Sequence, residues 1–189
     1  MTDIEFTISF VGILLALLVA NVTNNMADAH RARRDLPIGF VPWAISFYLV
    51  AAVANTYALY DAVADVIVFD VVTIVIAMAT ILPYIFLSRF LYPEHPKKWA
   101  SVEDYYLSNR VFILGLLAVA PLITSANWFY TTAVPLSETL FSVSVLYVPV
   151  FATQVLLMLT AKRQWHWAGW SYLIFHRVGM LVWLAVGTA

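Results

Sequence analysis

Apolar residues run along this chain in six long blocks, at about 6–25, 39–60, 71–88, 109–131, 137–160 and 170–188. Each is close to the length of about 20 apolar residues that a helix needs to cross a bilayer. The breaks between them carry the polar punctuation. "RARRDLP" follows the first block, "YPEHPKKW" the third and "AKRQWHW" the fifth. The pattern predicts an all-α integral membrane protein, a six-transmembrane-helix bundle built as a single membrane domain over residues 1–189. The connections are short, so consecutive spans are expected to pack as antiparallel neighbours. "SVED" at 101–104 fits a capping box, with Ser101 as the cap and Asp104 reaching back. The fourth helix is therefore expected to start well before its apolar block.

Composition makes the membrane the natural solvent. Hydrophobic residues make up 63% of the chain, charged residues 11%, and mean hydropathy is +0.86. Soluble domains average about 45–50% apolar and about 25% charged. The N-terminal "MTDIEFTISF" is acidic and lacks the basic region of a cleavable signal peptide, so the first helix reads as a retained span. There is no cysteine, which excludes disulfides, thiolate metal sites and cysteine nucleophiles.

Charge then sets the orientation. Six spans put both termini on one side, together with the "YDAVAD" and "TTAVPLSE" turns, and that side carries no lysine or arginine. The other side carries Arg31, Arg33, Arg34, Arg89, Lys97, Lys98, Arg110, Lys162 and Arg163; the tenth basic residue, Arg177, falls inside the sixth span. The positive-inside rule places the basic loops in the cytoplasm and both termini outside, in a bacterial-type cytoplasmic membrane. Trp43, Trp99, Trp128, Trp165, Trp167 and Trp170 lie near span ends, as expected of an interfacial aromatic belt. Overlaying spans one to three on four to six matches Thr23 with Thr124 and Phe40 with Phe141, but only the hydropathy repeats. A three-plus-three inverted pseudo-repeat, a common transporter plan, is one reading of that overlay.

Polar residues inside spans are costly in hydrocarbon and mark candidate sites. Asn21, Asn24, Asn25 and Asp28 form a stripe at the cytoplasmic end of the first span, and Gln154 lies at similar depth on the fifth. The stripe reads either as the wall of a wet vestibule or as hydrogen-bonding glue between helices. Asn55, Thr56, Thr73, Thr124, Ser125 and Asn127 gather toward the outer side, where hydroxyls usually bond their own backbone. Asp61, Asp65 and Asp70 belong to the outer turn; Asp70 is interfacial if the third span starts at Val71, and a membrane-embedded candidate cation or proton site if it starts at Val66. Pro83, Pro121 and Pro149 fall inside successive spans, each freeing one carbonyl as a kink or an interruption.

The sixth span, "SYLIFHRVGMLVWLAV", places His176 beside Arg177. Helical side chains lean toward the N-terminal end, so Arg177 is expected to snorkel toward the cytoplasmic headgroups. His176 points about 100° away and is expected on the bundle flank near Asn21 and Gln154. Familiar chemistries are absent from the pattern. His30, His95 and His166 read as loop residues without metal-ligand spacing, so no second histidine within a span could complete a bis-histidine haem. A chlorin on His176 alone gains no support from Tyr172 four residues earlier. No phosphate loop, nucleophile elbow or HExxH motif occurs. "DAHRARRD" at 28–35 lacks the repeated aspartates of lipid-headgroup transferases and suits a basic loop meeting anionic lipid. No catalytic residue, metal or cofactor is implied, and nothing supports nucleic-acid binding.

These observations lead to a membrane-embedded protein that binds or translocates a small anionic or zwitterionic solute through a cytoplasm-facing polar cavity. Its expected lining is Asn21, Asn24, Asn25, Gln154, His176 and Arg177. Two other classes compete: an accessory or effector subunit packing against a partner or itself, as a homo-oligomer or in a larger membrane complex, and, more remotely, a lipid-modifying enzyme. The topology is directly testable because the chain has no cysteine. Thr2→Cys is expected to react with an impermeant maleimide from outside intact cells, and Lys97→Cys only after permeabilisation. Labelling of both from the same side would overturn the orientation.

Overall fold

The computed structural model describes residues 3–62, 71–131, 144–145 and 147–187. Among them are six α-helices and no strand: α1 (Asp3–Ala32), α2 (Phe40–Ala62), α3 (Val71–Phe90), α4 (Val102–Thr131), α5 (Val148–Leu159) and α6 (Arg163–Gly187), with a short 3-10 turn at Pro96–Lys98. Three segments are long and apolar enough to cross a membrane: Ser9–Ala32, Phe40–Ala58 and Val102–Ser125. The apolar stretches Ile74–Phe90 and Val148–Leu159 are shorter. Most of the two outer turns, with Asp65, Asp70 and Phe141, lies outside the described residues, as do the side chains of Asp61, Thr73, Asn127 and Trp128.

Two helices differ from the sequence expectation because they continue past their apolar blocks, while α5 starts at Val148, inside its expected block. α1 carries "RA" of "RARRDLP" and so includes His30. α6 takes in "RQWHW", so His166 lies in a helix and not in a loop. Pro149 sits in the first turn of α5, where a missing N–H costs nothing, and so does not interrupt that helix. Pro83 and Pro121 do lie inside α3 and α4. Only the Ser101 half of the capping box forms: the Asp104 amide donates to Ser101 Oγ at 3.0 Å, and that hydroxyl donates to the Asp104 carboxylate at 2.8 Å. Asp104 thus reaches the hydroxyl, not the Ser101 backbone.

The helices alternate in direction, and one end of the bundle shows it. The Pro37 carbonyl, in the turn between α1 and α2, accepts from the amide of Val102 at the start of α4. Asn25 near the end of α1 donates to the Ser88 carbonyl near the end of α3. His166 in the first turn of α6 bonds the Thr160 carbonyl just past α5. The ends of α1, α3 and α5 therefore meet the starts of α2, α4 and α6, and this shared end carries nine of the ten basic residues. α2 and α6 share the most extensive interface although they are far apart in sequence, while α2 and α3, consecutive in the chain, barely touch. All six helices contribute to one apolar core, including Leu18, Tyr48, Tyr84, Leu117, Leu157 and Trp170. A second cluster joins Val11 and Leu15 of α1 to Ala77 and Ile81 of α3.

Gly39 precedes α2 with a φ of +80°, and a Cβ there would collide with the Glu103 side chain. Gly39→Ala therefore combines a left-handed backbone with a close approach, and is expected to cost about 1–3 kcal/mol. Gly12→Ala meets nothing within 4 Å and is expected to be neutral or slightly stabilising. Melting of the two purified variants in detergent checks the contrast.

Candidate functional site

Two polar assemblies occupy the α2–α4–α6 side of the bundle, one at the basic end and one deeper. The end assembly centres on Glu103, a first-turn residue of α4 that is only 2% exposed. One carboxylate oxygen accepts the Phe40 amide at 3.0 Å, and the other accepts the Trp167 indole N–H at 2.7 Å. Arg163 Nε stands 3.4 Å from the same group, and its Nη2 lies 2.8 Å from Asp104. Every neighbour is a donor, so an acceptor-only carboxylate is the side chain that satisfies them all.

Beside it runs a chain of hydrogen bonds. His166 Nε2 faces the Thr160 carbonyl at 2.9 Å, so that nitrogen carries the proton. Nδ1 is then the acceptor for the Tyr106 hydroxyl at 2.8 Å, and the same hydroxyl accepts from the Trp170 indole at 3.0 Å. The arrangement needs a neutral imidazole. Burial pushes the His166 imidazole below its ordinary value and Arg110 adds to this, while the Thr160 bond and Glu103 act the other way. Trp170, expected at the interface, is instead fully buried against the rings of Tyr48 and Tyr106.

Three contacts in register show that α2 and α6 run parallel from this end. Phe40 meets Trp167, Tyr48 meets Trp170, and Asn55 donates to the Arg177 carbonyl at 3.0 Å. That register carries Arg177 into the core, 7% exposed. Its Nε and Nη2 both donate to the Tyr48 hydroxyl, at 3.2 and 3.0 Å, and Cζ lies 5.2 Å from the Tyr48 ring centroid. Tyr84 and Tyr147 stand within its electrostatic reach. No carboxylate of the described residues pairs with it.

The expectation for the two neighbours is thus reversed. Arg177 leans toward the N-terminal end of its helix as expected, but inward to Tyr48 rather than outward to headgroups. His176 is half-buried on another face, its ring 6.1 Å from that of Tyr172, with Nδ1 buried and unpartnered. The other candidates separate. Gln154 is wholly buried on α5, with neither amide atom hydrogen-bonded. Its depth follows from Leu157, which packs against Gly169 of α6. Three residues further from the basic end, about 4.5 Å, Gln154 lies level with about residue 172 of α6, about five residues before Arg177. The asparagines of α1 belong elsewhere: Asn21 and Asn25 are half-buried, Asn24 is exposed, and Asn25 is spent on the Ser88 carbonyl of α3. The structure buries Gln154 on α5 and Arg177 on α6, and leaves the α1 stripe on the α1–α3 side.

The outer hydroxyls behave as expected. Thr56, Thr124 and Ser125 each bond the carbonyl four residues back. Sequence reasoning missed Tyr48, Glu103 and His166. Of these only Glu103 carried a signal, as an acidic residue inside the capping sequence. Comparison of the chain with protein-family models, with curated proteins and with solved structures gives no match.

Tyr106→Phe strands His166 Nδ1 and the Trp170 N–H together, and is expected to cost about 1–3 kcal/mol. Because the folded chain holds His166 neutral while the unfolded chain takes a proton near pH 6.5, its contribution is complete above about pH 6.5 and is lost as pH falls below that. The wild-type melting midpoint is expected to drop more steeply between pH 7.5 and 5 than that of His166→Gln. Equal slopes would remove His166 from the account.

Proposed function

We propose that this chain is a six-span membrane protein, with its basic end in the cytoplasm and both termini outside, that binds or translocates a small anionic solute at Arg177. The outward surface supports the membrane part. Ile13, Phe47, Phe86, Phe112, Leu156, Phe175 and Trp183 are all more than half exposed, an apolar coat that soluble monomers rarely present. In lipid, tight helix contact rests on packing of small residues, and Ala44, Ala52, Ala77 and Ala120 are buried where helices meet.

The observation that carries the functional part is a buried guanidinium with neutral partners only. Desolvating an ion costs several kcal/mol, and burial is normally tolerated when an opposite charge completes the pair. Here the described residues supply phenols, and the buried core also holds an unpaired Gln154 amide. A solute anion would complete the charge balance. The reading narrows the sequence-based lining to Arg177 and Gln154, with Tyr48 as the positioning group.

Arg177→Met tests it. A hydrophobic replacement of an uncompensated buried charge is expected to melt in detergent at or above the wild-type temperature. It should also lose the rise in melting temperature that millimolar small anions give the wild type. An unaltered anion response in the variant would refute the site.

A further inference from the structure

Resting on that reading, we infer that the anion at Arg177 is a singly charged carboxylate, held end-on by the guanidinium and assisted by the Gln154 amide. The charge count comes first. Arg177 is one cation, and no second cation or carboxylate of the described residues is paired with it; the ion pairs involving Glu103 and Asp104 lie at the basic end. In a medium of low dielectric the favoured total is zero. A monoanion reaches it. A dianion leaves a net negative charge, and a zwitterion brings an ammonium beside the guanidinium with no carboxylate to receive it.

Geometry then selects among monoanions. Tyr48 O takes the side edge of the guanidinium, bridging Nε and Nη2. The Tyr48 ring is held in turn against Trp170, centroids 5.7 Å apart, so that edge is committed. The end edge, formed by Nη1 and the second N–H of Nη2, donates to none of the described side chains. Two parallel N–H bonds on a planar fork match the two oxygens of a carboxylate, whereas a spherical halide uses the fork poorly. Gln154, on α5, adds a wholly buried amide with both Nε2 and Oε1 unpaired. Such a group carries a desolvation penalty unless something bonds it, and an amide N–H donating to a carboxylate oxygen removes that penalty.

The test uses the full-length protein in detergent, titrated with the sodium salts of propionate, chloride and sulfate and with glycine at matched ionic strength. Melting temperature and intrinsic tryptophan fluorescence are the readouts. Propionate is expected to bind saturably, with chloride, sulfate and glycine each at least tenfold weaker. Gln154→Leu is expected to weaken propionate about tenfold, and Arg177→Met to abolish its binding. Should Arg177→Met fail to fold, Arg177→Lys keeps the charge but not the fork, and is expected to lose at least tenfold for propionate. Chloride or sulfate binding as tightly as propionate would overturn the carboxylate assignment while leaving an anion site at Arg177, and glycine binding as tightly would overturn the requirement for a single net negative charge. Indifference to every anion would overturn both. Full propionate affinity in Gln154→Leu would remove the amide from the site.

Discussion

The carboxylate of Glu103 is the constraint on which the rest of the bundle depends. It sits in the first turn of α4 and accepts from the start of α2 through the Phe40 amide and from the start of α6 through the Trp167 indole. Three helix starts are thereby fixed to one point. The positive φ of Gly39 is part of the same device, because only a residue without a Cβ lets the chain pass so close to that side chain. Once the starts are pinned, α2 and α6 must run in parallel with a defined offset. Tyr48 then falls opposite Trp170, and Arg177 reaches the Tyr48 hydroxyl.

The two polar assemblies differ in how completely they are satisfied, and that difference separates structure from proposed function. At the basic end, Glu103, Tyr106, His166 and Trp170 all have partners of the right kind. Such a network specifies one arrangement and has no free donor or acceptor to offer a ligand. In the core the accounting fails at several atoms. Both amide atoms of Gln154, Oδ1 of Asn55 and Nδ1 of His176 are buried without partners, and Arg177 has no countercharge among the described residues. Native interiors leave few such atoms, and each calls for an explanation. The proposed anion would supply a partner to Arg177 and, with it, to Gln154.

The remaining surface sets the scale of that cost. Large apolar side chains cover the outside of all six helices, so in the proposed membrane setting the interior gains little from hydrophobic burial. Cohesion falls to close packing and to hydrogen bonds. An uncompensated charge in such an interior is expensive, which is why its retention points to use.

The sequence by itself determined whatever depends on one helix at a time. Six helical segments, the Ser101 cap, the back-bonded hydroxyls and the gathering of basic residues at one end follow from composition and local spacing. Helix ends were less legible, because "RQWHW" looks polar enough for a loop yet continues α6 with three of its five side chains, Arg163, His166 and Trp167, against α4. What only the tertiary structure decided is which way each face points. His176 and Arg177 are separated by about 100° of helix rotation, and no local rule says which of the two meets α2. The offset between α2 and α6 decides it, through contacts joining residues more than a hundred positions apart. The same applies to Glu103 and His166, whose roles exist only where three helix starts meet. Charge burial in this chain is a property of helix register, and register is a pairwise quantity that one-dimensional pattern does not contain.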